Sequence, residues 1–154
     1  MFIQIDDTDR RLIRQLLAAP EVSTADLAER AGVTTATCWR RLDRLRGAGV
    51  IGPPQAVIDW RAMGYEVEVS LRFNLDKTNP RAFDEFINAA REVPEVINIE
   101  TFLGRVDVRL NVIARDMRHY QEVYRTRILT LPHIADIEAL VLVATIKDEG
   151  ALPV

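Results

Sequence analysis

STADLAERAGVTTATCWRRLDRLRGAGVI, residues 23–51, decides the fold of this chain. It encodes two short helices joined by a tight glycine turn. Ser23 is placed to cap the first helix, with Asp26 three residues on as a capping-box partner. Leu27, Ala28 and Ala31 form an inward stripe, and Gly32 stands where a left-handed residue stops a helix. Thr34 can cap the second helix, which is expected to run to about Ala48 and end at Gly49. At 100° per residue, Cys38, Leu42 and Leu45 share one side, while Ala36, Arg40, Arg44 and Gly47 lie opposite. One side suits a core and the other suits phosphates or base edges, as in a helix-turn-helix that reads DNA.

Working outward, a first helix is expected after Asp6/Asp7, with Leu12, Ile13, Leu16 and Leu17 buried and Pro20 limiting its length. Beyond Gly49, Val50-Ile51 and Ala56-Val57-Ile58 flank Gly52-Pro53-Pro54-Gln55, which predicts a small two-stranded wing. Residues 59–64 form a connecting turn, and the domain boundary is placed there: a DNA-binding head over 1–61 and a second domain over 62–154.

In the second domain the hydrophobic period changes to two. Tyr65, Val67, Val69, Leu71 and Phe73 alternate with polar residues, which predicts a half-buried strand. A helix follows from Pro80 to about Val93, with Phe83, Phe86, Ile87 and Ala90 inward. Strands are expected at 96–103 and 106–114, joined at Gly104-Arg105. Asp116 caps a further helix with Tyr120, Val123, Tyr124 and Ile128 inward, and a last strand spans 134–146. The order β-α-β-β-α-β predicts an α+β chain: a three-helix winged helix-turn-helix head plus a ferredoxin-like sandwich. The last strand is apolar on both faces, yet the helices of such a sandwich cover only one. A second copy of the chain is the expected cover, making this domain a dimerisation module.

The net charge of −3 argues against a protein that coats nucleic acid. Its distribution says more. Residues 1–61 hold nine Arg against eight Asp/Glu, and residues 62–154 hold eleven Lys/Arg against fifteen. Arg40, Arg41, Arg44 and Arg46 fall within seven residues, a local patch able to dock on a polyanion in a salt-sensitive way. Thr34, Thr35 and Thr37 sit at the helix start, where hydroxyls and N–H groups can bond phosphate oxygens. Trp39 reads as packing, and Arg46 as a phosphate contact at most. Cys38, the one cysteine, reads as a buried small hydrophobe. It excludes an internal disulfide and a cysteine zinc site, and it fits a reducing compartment. His119 and His133 lack ligand spacing and read as surface or hydrogen-bonded residues. No apolar run approaches the ~20 residues of a membrane span, and the start lacks signal-peptide character. A cytoplasmic location is expected, with no cofactor, no metal and no enzymatic activity.

In these motifs the chain resembles the Lrp/AsnC (feast/famine) regulators over essentially its whole length. The carriers are Ile5-Asp6-Asp7-Thr8-Asp9-Arg10-Arg11-Leu12-Ile13, Leu27-Ala28 with Gly32-Val33, Cys38 through Leu45, Gly49-Val50-Ile51, Gly104 to Asp107, and Leu152-Pro153-Val154. The resemblance implies a DNA-binding head reading double-stranded DNA through Thr34, Thr35, Thr37, Arg40, Arg41 and Arg44. It implies dimers that associate further, commonly to an octamer, and an amino-acid or related effector held between subunits near the loop glycine. Gly104 and Asp107 fall on the family's loop positions; Leu103 and Arg105 replace its usual hydroxyl and acidic residues. Gly104, Arg105 and Asp107 are therefore the expected effector-binding residues. Siroheme decarboxylases share the two-domain plan and are the enzymatic alternative. They differ at the wing, and their histidines are scarce here.

Overall fold

The computed structural model describes residues 3–147 and 152–153, which form two compact units, the second running Ile58–Ile146 and the first comprising the described residues before and after it. Val154 of the terminal motif and Met1-Phe2, read for signal-peptide character, lie outside the described residues.

The first unit is a three-helix head. Helix α1 spans Asp7–Ala18, and Asp6 caps it in a full capping box: its carboxylate accepts from the Asp9 amide and its own amide donates to Asp9. Helix α2 spans Thr24–Ala31. Ser23 Oγ accepts from the Asp26 amide at 3.1 Å and donates to Asp26 Oδ2 at 2.8 Å, so reciprocity runs through the hydroxyl rather than the backbone. Gly32 ends α2 in the left-handed region (φ 68°), where a side chain would be strained. Helix α3 spans Thr35–Gly47. Leu12, Leu27, Ala28, Ala31, Cys38 and Leu42 make one buried cluster, with Leu16, Val22, Val33 and Ile51 packed on it.

Three expectations for the head change. Leu17 is exposed, because the bundle covers only the Leu12 side of α1. Trp39 stands 61% exposed rather than packed. The predicted wing forms no strand pair. The Val50 and Ile51 amides instead donate to the Leu45 carbonyl at the end of α3, and Pro53 and Pro54 have no N–H for a ladder.

The second unit is a β-α-β-β-α-β sandwich. Its elements are β1 (Val67–Leu75), α4 (Ala82–Arg91), β2 (Val96–Thr101), β3 (Val108–Ala114), α5 (Met117–Val123) and β4 (Ile134–Val141), with α5 continuing into a π-helical turn over Tyr124–Ile128. The antiparallel sheet has the order β2-β3-β1-β4. Val69, Leu71 and Phe73 of β1 and Val108, Leu110 and Val112 of β3 point to the helices. Phe86 of α4 meets Phe73 there with ring centroids 4.9 Å apart. Phe83, expected inward, is exposed, because the buried stripe runs through Ala82, Phe86 and Ala90 and Phe83 lies one residue, about 100°, around the helix from Ala82.

The strand β4 ends earlier than its apolar sequence suggests. The Leu142 amide still reaches the Glu68 carbonyl, but β1 begins at Val67, so from Ala144 on the chain has run past the end of its partner. Val143 and Ile146 are almost fully exposed, and Leu140, Val141 and Leu142 are more than one-third exposed.

Candidate nucleic-acid interface and effector cleft

Thr34 opens α3: its Oγ1 accepts from the Thr37 amide at 3.2 Å and donates to Thr37 Oγ1 at 2.9 Å. Thr35 and Ala36 face solvent in the same first turn. One turn on, the four arginines separate into two kinds. Arg40 and Arg46 are exposed, and no described residue pairs with either guanidinium. Arg41 and Arg44 turn back to α1.

The centre of that contact is Asp9, the one fully buried charged side chain of the described core. Its Oδ1 accepts from Arg41 Nη1 at 3.0 Å and its Oδ2 from Arg44 Nη2 at 2.5 Å. Arg41 Nη1 also donates to both oxygens of Asp6, at 2.8 and 2.7 Å. Arg44, read from sequence as projecting outward, thus has its guanidinium bent onto Asp9, although its side chain stays 45% exposed. The physical reason is the cost of burying an unpaired carboxylate, which draws in the nearest cations. The Arg41 guanidinium, followed by the Asp9 amide, holds the Asp6 carboxyl down at about 2, against a usual 3.8. Arg40, Arg41, Arg44 and Asp6 together line a cleft of about 250 Å³.

The predicted effector residues do not converge. Asp107 braces β1: its Oδ2 accepts from the Leu75 amide at 2.9 Å, and its Oδ1 lies 3.2 Å from Lys77 Nζ. Gly104 sits in an outlying turn beside the fully exposed Leu103. Arg105 lines a cleft, an open space of about 590 Å³ shared with Arg72, Phe73, Asn74, Val106, Asp136 and Glu138. Asp136 and Glu138 were not foreseen as site residues. Their one sequence signal was their place as the acidic positions of an otherwise apolar strand. The histidines are both hydrogen-bonded: His119 Nδ1 accepts from the Arg115 amide at 3.1 Å, and His133 Nε2 lies 2.5 Å from Glu85 Oε2.

A capped helix-turn-helix joined to a sandwich with a charged cleft is the build of a DNA-binding regulator with a ligand-binding domain. Residues 5–51 match the winged helix-turn-helix DNA-binding family, and residues 68–152 match the Lrp/AsnC ligand binding domain. The chain belongs to the Lrp/AsnC family of transcriptional regulators. It is 25% identical to the transcriptional regulator AzlB of Bacillus subtilis, over 100% of this chain and 98% of that protein. It is 27% identical to the DNA-binding transcriptional activator DecR of Escherichia coli, over 97% and 99%. Among solved structures, an AsnC family regulator from Agrobacterium tumefaciens superposes with a TM-score of 0.82 at 28% identity, covering 96% of each chain. A Neisseria meningitidis transcriptional regulator, solved as an L-methionine complex, gives 0.85 at 22% identity, covering 97% of each. The decarboxylase alternative gains no support from these relatives, which are all regulators. No helix among the described residues is long and apolar enough to cross a membrane.

Proposed function

We propose that this regulator binds duplex DNA as a homodimer, and as an octamer of associated dimers, with amino-acid control through the Arg105 cleft. The head over 1–61 supplies DNA contact and the half over 62–154 supplies assembly and effector binding, in the cytoplasm and without catalysis. The observation that carries the reading is the exposed face of α3. There Arg40, exposed and unpaired among the described residues, shares α3 with the hydroxyl residues Thr34, Thr35 and Thr37 of the helix start. An arginine fork reaching a base edge contributes about 1–3 kcal/mol of discrimination, and the N-terminal amides of α3 suit a phosphate. Arg41 and Arg44 contribute mainly by fixing α3. A symmetric dimer would set its two heads about 34–36 Å apart, one helical turn of DNA.

For the effector, the relevant chemistry is mixed charge in one cleft. Arg105 with Arg72 suits a carboxylate, and Asp136 with Glu138 suits an ammonium, the two ends of an α-amino acid. The L-methionine in the Neisseria relative supports that class of ligand. Genomic fragments retained by the protein, sequenced with and without each of the twenty amino acids, test the whole reading. Arg40→Ala should weaken binding to the enriched fragment at least ten-fold while thermal stability is kept. Unchanged affinity would remove the α3 assignment. Arg105→Ala should abolish the amino-acid effect, and a persistent effect would move the effector elsewhere.

A further inference from the structure

Resting on the DNA-binding reading, we propose that Asp6 is a specificity-determining residue that occupies the Arg41 guanidinium in place of a DNA phosphate. Three features of the cluster carry this. First, its charge is balanced: two carboxylates, Asp6 and Asp9, face two guanidinia, Arg41 and Arg44. Half of the arginine patch on α3 therefore presents no net charge to a polyanion.

Second, the two carboxylates differ in access. Asp9 is fully buried and serves both arginines, so it holds α3 on α1 whatever lies outside. Asp6 is half-exposed and, of the two arginines, contacts only Arg41. Asp6 is thus the one partner that an external anion can displace. Third, Arg41 is unsaturated. Its Nε is buried without a hydrogen-bond partner among the described residues, while Nη1 alone carries all three contacts. Arg40, Arg41 and Arg44 line the same cleft as Asp6. An oxyanion entering that cleft would meet the free Arg40 and compete for Arg41.

Both oxygens of Asp6 converge on Arg41 Nη1 in charge-assisted hydrogen bonds, the kind of bond that a phosphate oxygen would otherwise accept from that nitrogen. Holding Arg41 this way lowers affinity for any duplex and leaves discrimination to groups that reach base edges, since phosphate contacts carry no sequence information. Asp6 is also the helix cap, a role that Asn and Ser fill equally well. Its charge can therefore be removed without losing the cap.

The experiment titrates the full-length protein, Asp6→Asn and Asp6→Ser into a fluorescein-labelled duplex of arbitrary sequence and into the fragment enriched above. Anisotropy is read between roughly 50 and 200 mM salt. Both variants should bind the arbitrary duplex more tightly, with a log–log salt slope steeper by about 0.9 per head, and the preference for the enriched fragment should shrink. Arg41→Gln in the Asp6→Asn background should cancel the gain in slope, with thermal unfolding of each variant checking that the head stays folded. That result separates release of Arg41 from simple loss of a repelling charge. Equal slopes in parent and variants, or a gain that survives Arg41→Gln, would overturn the proposal while DNA binding stands. Failure of every chain to bind either duplex would overturn both.

Discussion

Asp9 and Cys38 show how single side chains acquire meanings that their positions in the chain do not announce. Asp9 stands in an acidic cluster that reads as a helix start, yet it anchors two arginines more than thirty residues away. Periodicity tells which face of a helix a residue occupies but not which acid waits across the bundle. For that reason the Arg40 and Arg44 stripe was legible and the fate of each guanidinium was not. Trp39 and Leu17 failed for a related reason, since three short helices bury a narrower stripe than their apolar content suggests. Asp9→Ala leaves two guanidinia without their buried acceptor. Both keep partial access to water, which moderates the usual cost of breaking a buried pair, and a loss of about 2 kcal/mol is expected in urea unfolding. Asp6 sets a pH signature. Its carboxyl titrates lower in the folded chain than in the unfolded one. The stability it contributes is therefore present above about pH 4 and lost as pH falls toward 2. Asp6→Asn should flatten that part of the acid-unfolding curve.

Among the elements, the order of strands and helices in the sandwich was readable because its periods are clean, and because Asp116 caps α5 by accepting from the His119 amide at 2.7 Å. Element ends were less so. The strand pair expected around residues 50–58 is absent from the described chain because two prolines and a competing carbonyl at Leu45 leave no ladder to form, and β4 ends at Val141, opposite Val69 near the start of β1. The π-helical turn at Tyr124–Ile128 has no separate periodic signal, being a single widened turn inside an amphipathic run. Helix α4 offers a clear test of face assignment. Phe86→Ala, which removes the ring packed on Phe73, should cost about 3–5 kcal/mol. Phe83→Ala, on the exposed side, should stay within about 0.5 kcal/mol. Equal losses in thermal unfolding would mean that the buried face of α4 has been misassigned.

For the molecule as a whole, the decisive feature is the apolar end of β4, where Val141, Leu142 and Val143 meet solvent. A lone subunit with such a patch invites association, and a second copy is the proposed occupant. Leu142→Glu should shift the protein from dimer to monomer in sedimentation velocity at micromolar concentration and weaken DNA binding by separating the paired heads. A parent chain that already sediments as a monomer would defeat the dimer proposal. The lone thiol has a different use. Cys38 lies fully buried on the inward face of α3, and burial pushes its pKa above the usual range, so a closed head leaves it inert. With no other cysteine in the sequence, alkylation becomes a clock that ticks only when the three-helix bundle comes apart, so its rate with and without duplex would measure how strongly bound DNA keeps that bundle shut.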